Sequence, residues 1–268
     1  MISADLPDGD LVLVEVVSAK GSTPREAGAL MLVGAAVVHG TVGGGHLEFD
    51  AIDLARAMLG DGRVEERLEF TLGPDTGQCC GGRVSLRLRR MDQGLRDDME
   101  ARLRREAAGA PDVYLFGAGH VGRALARALA ALPFRLTVIE NRPEELDLLD
   151  PGVNRRLLAM PEEAVAAIRP GGAAVILTHD HALDFMIAAE ALLRDDLAYV
   201  GMIGSRTKRG VFASYLRDSG HGPDIMDRLI LPIGGERLRD KRPAVIAALV
   251  AAELLEKLLS PHSSHKGQ

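Results

Sequence analysis

The feature that most restricts the fold is a glycine pattern set between a strand-like run and a helix-like one. In "VYLFGAGHVGRALARALAAL" the apolar run 113–116 leads into Gly117, Gly119 and Gly122, which match G-x-G-x-x-G, and helical periodicity follows. The first glycine of such a turn permits a tight reversal, the second lets backbone approach a pyrophosphate, and the third lets helix and strand pack closely. Amides of the first helical turn then face the anion. Glu140 closes the next strand-like run, "RLTVIE", where an acidic side chain can take ribose hydroxyls. The same glycines also serve a turn that binds nothing, so the pattern points to a fold before it points to a ligand.

Strand-like and helix-like runs keep alternating afterwards: "RRLLAM", "PEEAVAAI" with Pro161 in its first turn, "AAVILTHD", "ALDFMIAAEALLR", "AYVGMIG" and "TKRGVFASYLRD". Such alternation predicts an α/β fold over residues 112–260, a Rossmann-like doubly wound parallel sheet with helices on both faces. Residues 1–91 read differently. There "LVLVEVV", "ALMLVG", "AAVVHGTVGGG", "RVEERLEFTL" and "RVSLRLRRM" predict strands, and the spacing in "HLEFDAIDLARAMLGDG" predicts one helix, an N-terminal α+β domain. Between them, residues 92–111, "DQGLRDDMEARLRREAAGAP", read as a linker with a short exposed helix, and 261–268 as a disordered tail.

Charge and composition exclude several partners. The net charge of −6, from 32 basic and 38 acidic residues, gives no general attraction to a phosphate backbone. Aromatic residues total 3% with no Trp, so few rings are present to stack on bases. Nucleic acid is therefore not an expected partner. The acidic start, "MISADLPDGD", does not read as a signal peptide, and the Ala/Leu/Val-rich stretch 243–255 is shorter than the roughly 20 residues of a membrane span. A cytoplasmic protein with no membrane contact is expected.

The chain holds two cysteines, and they are adjacent: Cys79 and Cys80 in "GPDTGQCCGGRV", beside Gln78 and Gly81. Consecutive Cα atoms are about 3.8 Å apart, short of the roughly 4.4–6.8 Å that a disulfide spans, so a resting bridge between them would be strained. A structural zinc site would need further Cys or His ligands at spacings the sequence lacks. Two readings stay open: small apolar residues in a turn, or thiols presented to a ligand by backbone that glycine lets approach.

Three other motifs carry paired readings. Gly43, Gly44, Gly45 and His46 in "GTVGGGHLE" suit backbone pressed against a phosphate or pterin-like edge, or a tight strand-to-helix connection. His179, Asp180, His181 and Asp184 in "THDHALD" suit metal ligands, or a polar rim in which Asp180 or Thr178 caps a helix. Ser205, Arg206, Lys208 and Arg209 in "GMIGSRTKR" suit an anion-binding turn, or helix capping by Ser205. No Ser/His/Asp order or nucleophile elbow is present.

Taken in order, "GSTPREAGALMLV", "GTVGGGHLE", "GQCCGGRV", "LFGAGHVGRAL", "ILTHDHALD", "YVGMIGSRTKR" and "LPIGGERLRDKRPAVIAALVAAELL" resemble the XdhC/CoxI family, accessory proteins of xanthine dehydrogenase and related molybdenum hydroxylases. The resemblance covers nearly the whole chain, and "GQCCGG" is its most specific part. It implies a carrier without catalytic activity of its own, which binds the molybdenum cofactor (molybdopterin), protects its sulfurated form and delivers it to apo xanthine dehydrogenase, with a cysteine desulfurase as sulfur source. The family's functional cysteine falls at Cys79 or Cys80, a candidate contact for molybdenum or transferable sulfur; which one stays open. The other candidate cofactor contacts are the glycine, histidine, acidic, Gln78, Ser205 and Arg206 positions named above. An NAD(P)-dependent oxidoreductase is the alternative, and a docking scaffold that holds no cofactor is a third reading. A homodimer is an open arrangement.

Overall fold

The computed structural model describes residues 6–72, 81–235, 238 and 240–260. The chain divides into two units, Met1–Glu106 and Ala107–Gln268.

In the first unit five antiparallel strands are ordered β3-β2-β1-β5-β4, with β1 Val12–Lys20, β2 Leu30–Val33, β3 Val38–Gly40, β4 Glu65–Thr71 and β5 Arg83–Arg90. Successive residues of a strand face opposite sides, so the near-continuous apolar run of β1 needs cover on both. Val12, Val14 and Val16 pack with Leu47, Ala51, Ala55 and Met58 of helix α1, Gly45–Asp61. On the other face Leu13 and Leu32 meet Met99 and Leu103 of α2, Gln93–Gly109. That helix has 17 residues, longer than the short exposed one expected there, and its charge-rich composition hides a stripe at four-residue spacing that is buried on the sheet. One edge strand, β3, has 3 residues; the other, β4, carries Glu65, Glu66, Arg67 and Glu69.

The second unit is a six-stranded parallel sheet ordered β11-β10-β9-β6-β7-β8. Its strands are β6 Asp112–Phe116, β7 Arg135–Glu140, β8 Asn154–Leu157, β9 Ala173–Ile176, β10 Tyr199–Met202 and β11 Leu229–Ile230. Counted from β6, this is the 3-2-1-4-5-6 order of a Rossmann domain, with its switch point between β6 and β9. Phe116, Ile139 and Ile176 pack on one face with α5, His181–Leu193, and α6, Arg206–Asp218. Leu115, Val138 and Val175 pack on the other with α3, His120–Leu129, and α7, Pro243–Leu259. A short helix, α4, Pro143–Leu146, follows β7. The segment "PEEAVAAI", predicted as an α-helix, forms a 3-10 helix over Pro161–Ala167. Among the described residues no helix is long and apolar enough to cross a membrane.

Candidate functional site

The turn from β6 into α3 lies at the switch point, and its three glycines have different causes. Gly117 has φ +117°, and a side chain there would collide with the Leu177 carbonyl at the end of β9. At Gly122 it would collide with the Gly117 carbonyl and stand 2.9 Å from the Leu177 side chain. Gly119 is unlike both: φ −62° and ψ −170° suit any residue, and nothing lies within 4 Å of where a Cβ would stand. The amides of Gly119, His120 and Val121 have no acceptor among the described residues.

Glu140, at the end of β7, is buried and already engaged. Its carboxylate accepts from the Ala118 amide at 2.9 Å, the Asn141 amide at 3.0 Å, and the Arg142 guanidinium at 2.9 and 3.1 Å. Burial raises its pKa, but the hydrogen bonds from Arg142, Ala118 and Asn141 outweigh burial and hold the carboxyl below its ordinary value. It stays ionised and fixes the turn.

Further along the same carboxyl edge, Asp180 caps α5, accepting from Ala182 at 2.7 Å and Leu183 at 3.4 Å, while His179 and His181 are exposed. Among the described residues no group of three His, Cys, Asp or Glu could hold a metal ion. Ser205 caps α6 by accepting from the Lys208 amide at 3.3 Å. Arg206 is exposed at the start of that helix. Lys208 and Arg209, read as candidates for an anion-binding turn, both bond within the protein. Arg209 donates to the carbonyls of Leu229 and Met226, both at 3.1 Å. The Lys208 ammonium donates to Asp184 and, at 3.0 Å, to the Ile203 carbonyl; Asp184 also accepts from the Thr178 amide at 2.9 Å and hydroxyl at 2.7 Å. Both charges are buried. A signal for this pair was present in the sequence: Lys208 shares four-residue spacing with Phe212 and Leu216, and Asp184 with Ala188, so an acid and a base sit on the buried faces of neighbouring helices.

Two depressions open on this edge. A pocket of about 220 Å³ is lined by His179, His181, Ser205 and the Lys208–Asp184 pair. A cleft of about 480 Å³ shares Ile203, Gly204 and Ser205 with it and continues to Ile246 and Leu249, with Arg206 and Lys241 also lining it. The second unit thus gathers Gly117, Gly119, Gly122, Glu140, His179, Asp180, His181, Ser205 and Arg206 along one sheet edge.

In the first unit the turn before α1 is filled by the chain itself. Glu48 accepts from the Thr41 hydroxyl and from the amides of Val42 at 3.0 Å and Gly44 at 3.1 Å, while the Gly43 amide donates to the Thr41 hydroxyl at 3.2 Å. The amides of Val42 and Gly44 are spent on this internal anion and that of Gly43 on the Thr41 hydroxyl, whereas those of Gly45 and His46 have no acceptor among the described residues. Burial raises the Glu48 pKa, yet the Thr41 hydroxyl and the amides of Gly44 and Val42 together bring it below its ordinary value. Gly43 and Gly44 adopt φ +140° and +74°, and Gly43 leaves room for the Pro24 ring. Gly45 and His46 are exposed. Gly81 is exposed in open space, whereas Gly82 is pressed on the Ser22 and Lys20 carbonyls. Gln78, Cys79 and Cys80 lie outside the described residues.

An antiparallel sheet covered by helices, followed by a Rossmann-type sheet whose helix-opening turn stands open at one glycine, defines a class of two-unit α/β protein. Residues 113–254, more than half of the chain, match the XdhC Rossmann domain, and residues 7–71 match the XdhC and CoxI family. The chain belongs to the XdhC/CoxI family, as its motif order predicted. It is 28% identical over 255 residues to the uncharacterized protein YqeB of Escherichia coli (strain K12), an alignment covering 91% of this chain and 43% of that protein. The chain therefore spans less than half the length of that relative. A crystal structure from Bacillus halodurans, described as a xanthine dehydrogenase, shares the fold with a TM-score of 0.79 at 20% identity, over 97% of this chain and 94% of the other.

Proposed function

We propose that the chain is a maturation factor for xanthine dehydrogenase, one that binds the molybdenum cofactor in its molybdopterin form, protects the sulfurated state and delivers it to the apoenzyme. Family membership supports the client. The observation that supports binding is the open space at Gly119, the one glycine of its motif that no neighbouring atom requires. Molybdopterin ends in a phosphate, and the unclaimed amides at the start of α3 are suited to one. In this reading the soft contact is Cys79 or Cys80, where the family resemblance places the functional cysteine and whose thiolate chemistry suits molybdenum or transferable sulfur. When bound, the cofactor supplies the molybdenum–sulfur chemistry that the client uses. The chain's own work is to seat the phosphate on the amides of Gly119 and His120, with the Ala118–Glu140–Arg142 bonds holding the turn in shape. A cysteine desulfurase as sulfur source, and work in the cytoplasm, belong to the same reading.

The competing reading is an NAD(P)-dependent oxidoreductase, which the sheet order favours. Against it stands Glu140, whose carboxylate would have to take ribose hydroxyls and is already held by Arg142 and backbone amides. Anaerobic gel filtration with molybdopterin or NAD separates the two. The parent is expected to retain the pterin, and both Gly119→Val and the double change Cys79→Ser/Cys80→Ser to retain at least about tenfold less. Equal retention by parent and variants would reject the carrier reading, and retention of NAD alone would replace it.

A further inference from the structure

We infer that the pocket between the first turns of α5 and α6 is an oxyanion site, with the buried Lys208 ammonium as its recognition group and a phosphate, free or as a small monoester, as its ligand. The inference goes beyond the carrier reading and does not depend on what binds at Gly119.

An ammonium has three N–H donors. Lys208 gives one to Asp184 and one to the Ile203 carbonyl; the third has no acceptor among the described residues, and Lys208 forms part of the pocket wall. Side-chain exposure is 8% for Lys208 and 1% for Asp184, so both charges are largely withdrawn from bulk solvent. Stability alone is a weak account of the pair. Exchanging a buried ion pair for apolar side chains of similar volume is often neutral or stabilising, so its placement at a pocket on the ligand-binding edge calls for another cause.

Neighbouring groups fit the same ligand. The Ser205 oxygen accepts the Lys208 amide, which leaves the hydroxyl proton to donate outward. Ser205 caps α6, so the positive end of that 13-residue helix faces the pocket, whereas the start of α5 is taken by the Asp180 carboxylate. Asp184 is the one carboxylate among the lining residues, and its two oxygens are taken by Thr178 and Lys208. Thr178 and Asp184 thereby act as positioning residues for the ammonium. A volume of about 220 Å³ suits a tetrahedral oxyanion with a short attached group.

The test follows backbone amide NMR shifts of the full chain during titration with inorganic phosphate and, separately, glycerol 2-phosphate. Ser205→Asp keeps a good helix cap while setting a carboxylate at the mouth of the pocket. Lys208→Met/Asp184→Leu replaces the pair with apolar side chains and removes the donor. Expected shifts fall on Thr178, His181, Gly204 and Lys208, persist in Gly119→Val, and require at least about tenfold more phosphate in either pocket variant, with thermal midpoints near the parent's. Whichever pocket variant folds decides the matter. Unchanged affinity in it, shifts confined to Gly119 and His120, or no shifts at all would overturn the inference, and a stronger response to glycerol 2-phosphate would identify the monoester as the source. Pterin retention by Gly119→Val bears on the carrier reading alone.

Discussion

Before α1, the Thr41 hydroxyl and the amides of Val42 and Gly44 converge on Glu48, a carboxylate that the helix itself sends back into the turn. Before α3, the carboxylate comes from the neighbouring strand; Glu140 takes the Ala118 amide and is neutralised by Arg142, and the first amides of the helix, like those of Gly45 and His46 in α1, have no acceptor among the described residues. The two turns share a glycine-rich signature and differ in who supplies the anion. Glycine spacing therefore reports backbone able to reach a negative charge, and the hydrogen-bond inventory reports whether the position is already taken.

Substitutions can break or sharpen this contrast. The largest effect is expected from Gly122→Val, because a Cβ there falls on the Gly117 carbonyl, which is backbone and cannot swing away. A loss of about 3 kcal/mol in denaturant unfolding is expected, and a loss below about 1 kcal/mol would mean that the turn is not closed as described.

Next comes Glu48→Gln, which withdraws the internal anion and should cost about 1 kcal/mol, given the partial exposure of the site. Its sign with pH is fixed by the depressed folded pKa. The stabilisation is fully present above the ordinary value of 4.5 and is lost as the pH falls through the lower folded value. Parent and variant stabilities should therefore converge on acidification below about pH 4.5; a gap that stays constant or widens would show that Glu48 is not bound as an anion. The smallest effect on stability, about 0.5 kcal/mol, is expected from Gly119→Val, since the added side chain meets open space and the cost is that of a poorer helix cap. A larger loss would show that this glycine, too, is required by the fold.

The doubly wound half was legible because its strands are short, mostly buried on both faces except the exposed edge strand β8, and separated by helices, a pattern that hydrophobic spacing records directly. Asp180 and Ser205 were legible as caps for a similarly local reason, as each bonds amides two or three residues ahead. Glu48 was not. Its partners lie up to seven residues back across a turn, and periodicity says nothing of where a carboxylate bends. The pairing of Lys208 was harder to read, because a cation beside a helix start reads as surface charge until the buried face of α5 supplies Asp184. The long α2 was underestimated for the opposite reason: its exposed charges outnumber the few apolar residues that dock it.

The ends of both sheets have a consequence for how the chain can meet other proteins. Three of the four edge strands, β3, β8 and β11, have 3, 4 and 2 residues, and the longer fourth, β4, is studded with glutamates and an arginine. An extended segment of another polypeptide finds little unpaired backbone to extend along, and where the edge is longer it meets charge. Recruitment by strand addition, the route that also leads to aggregation, is thus poorly served. What these sheet ends leave for recognition of another protein is side chains.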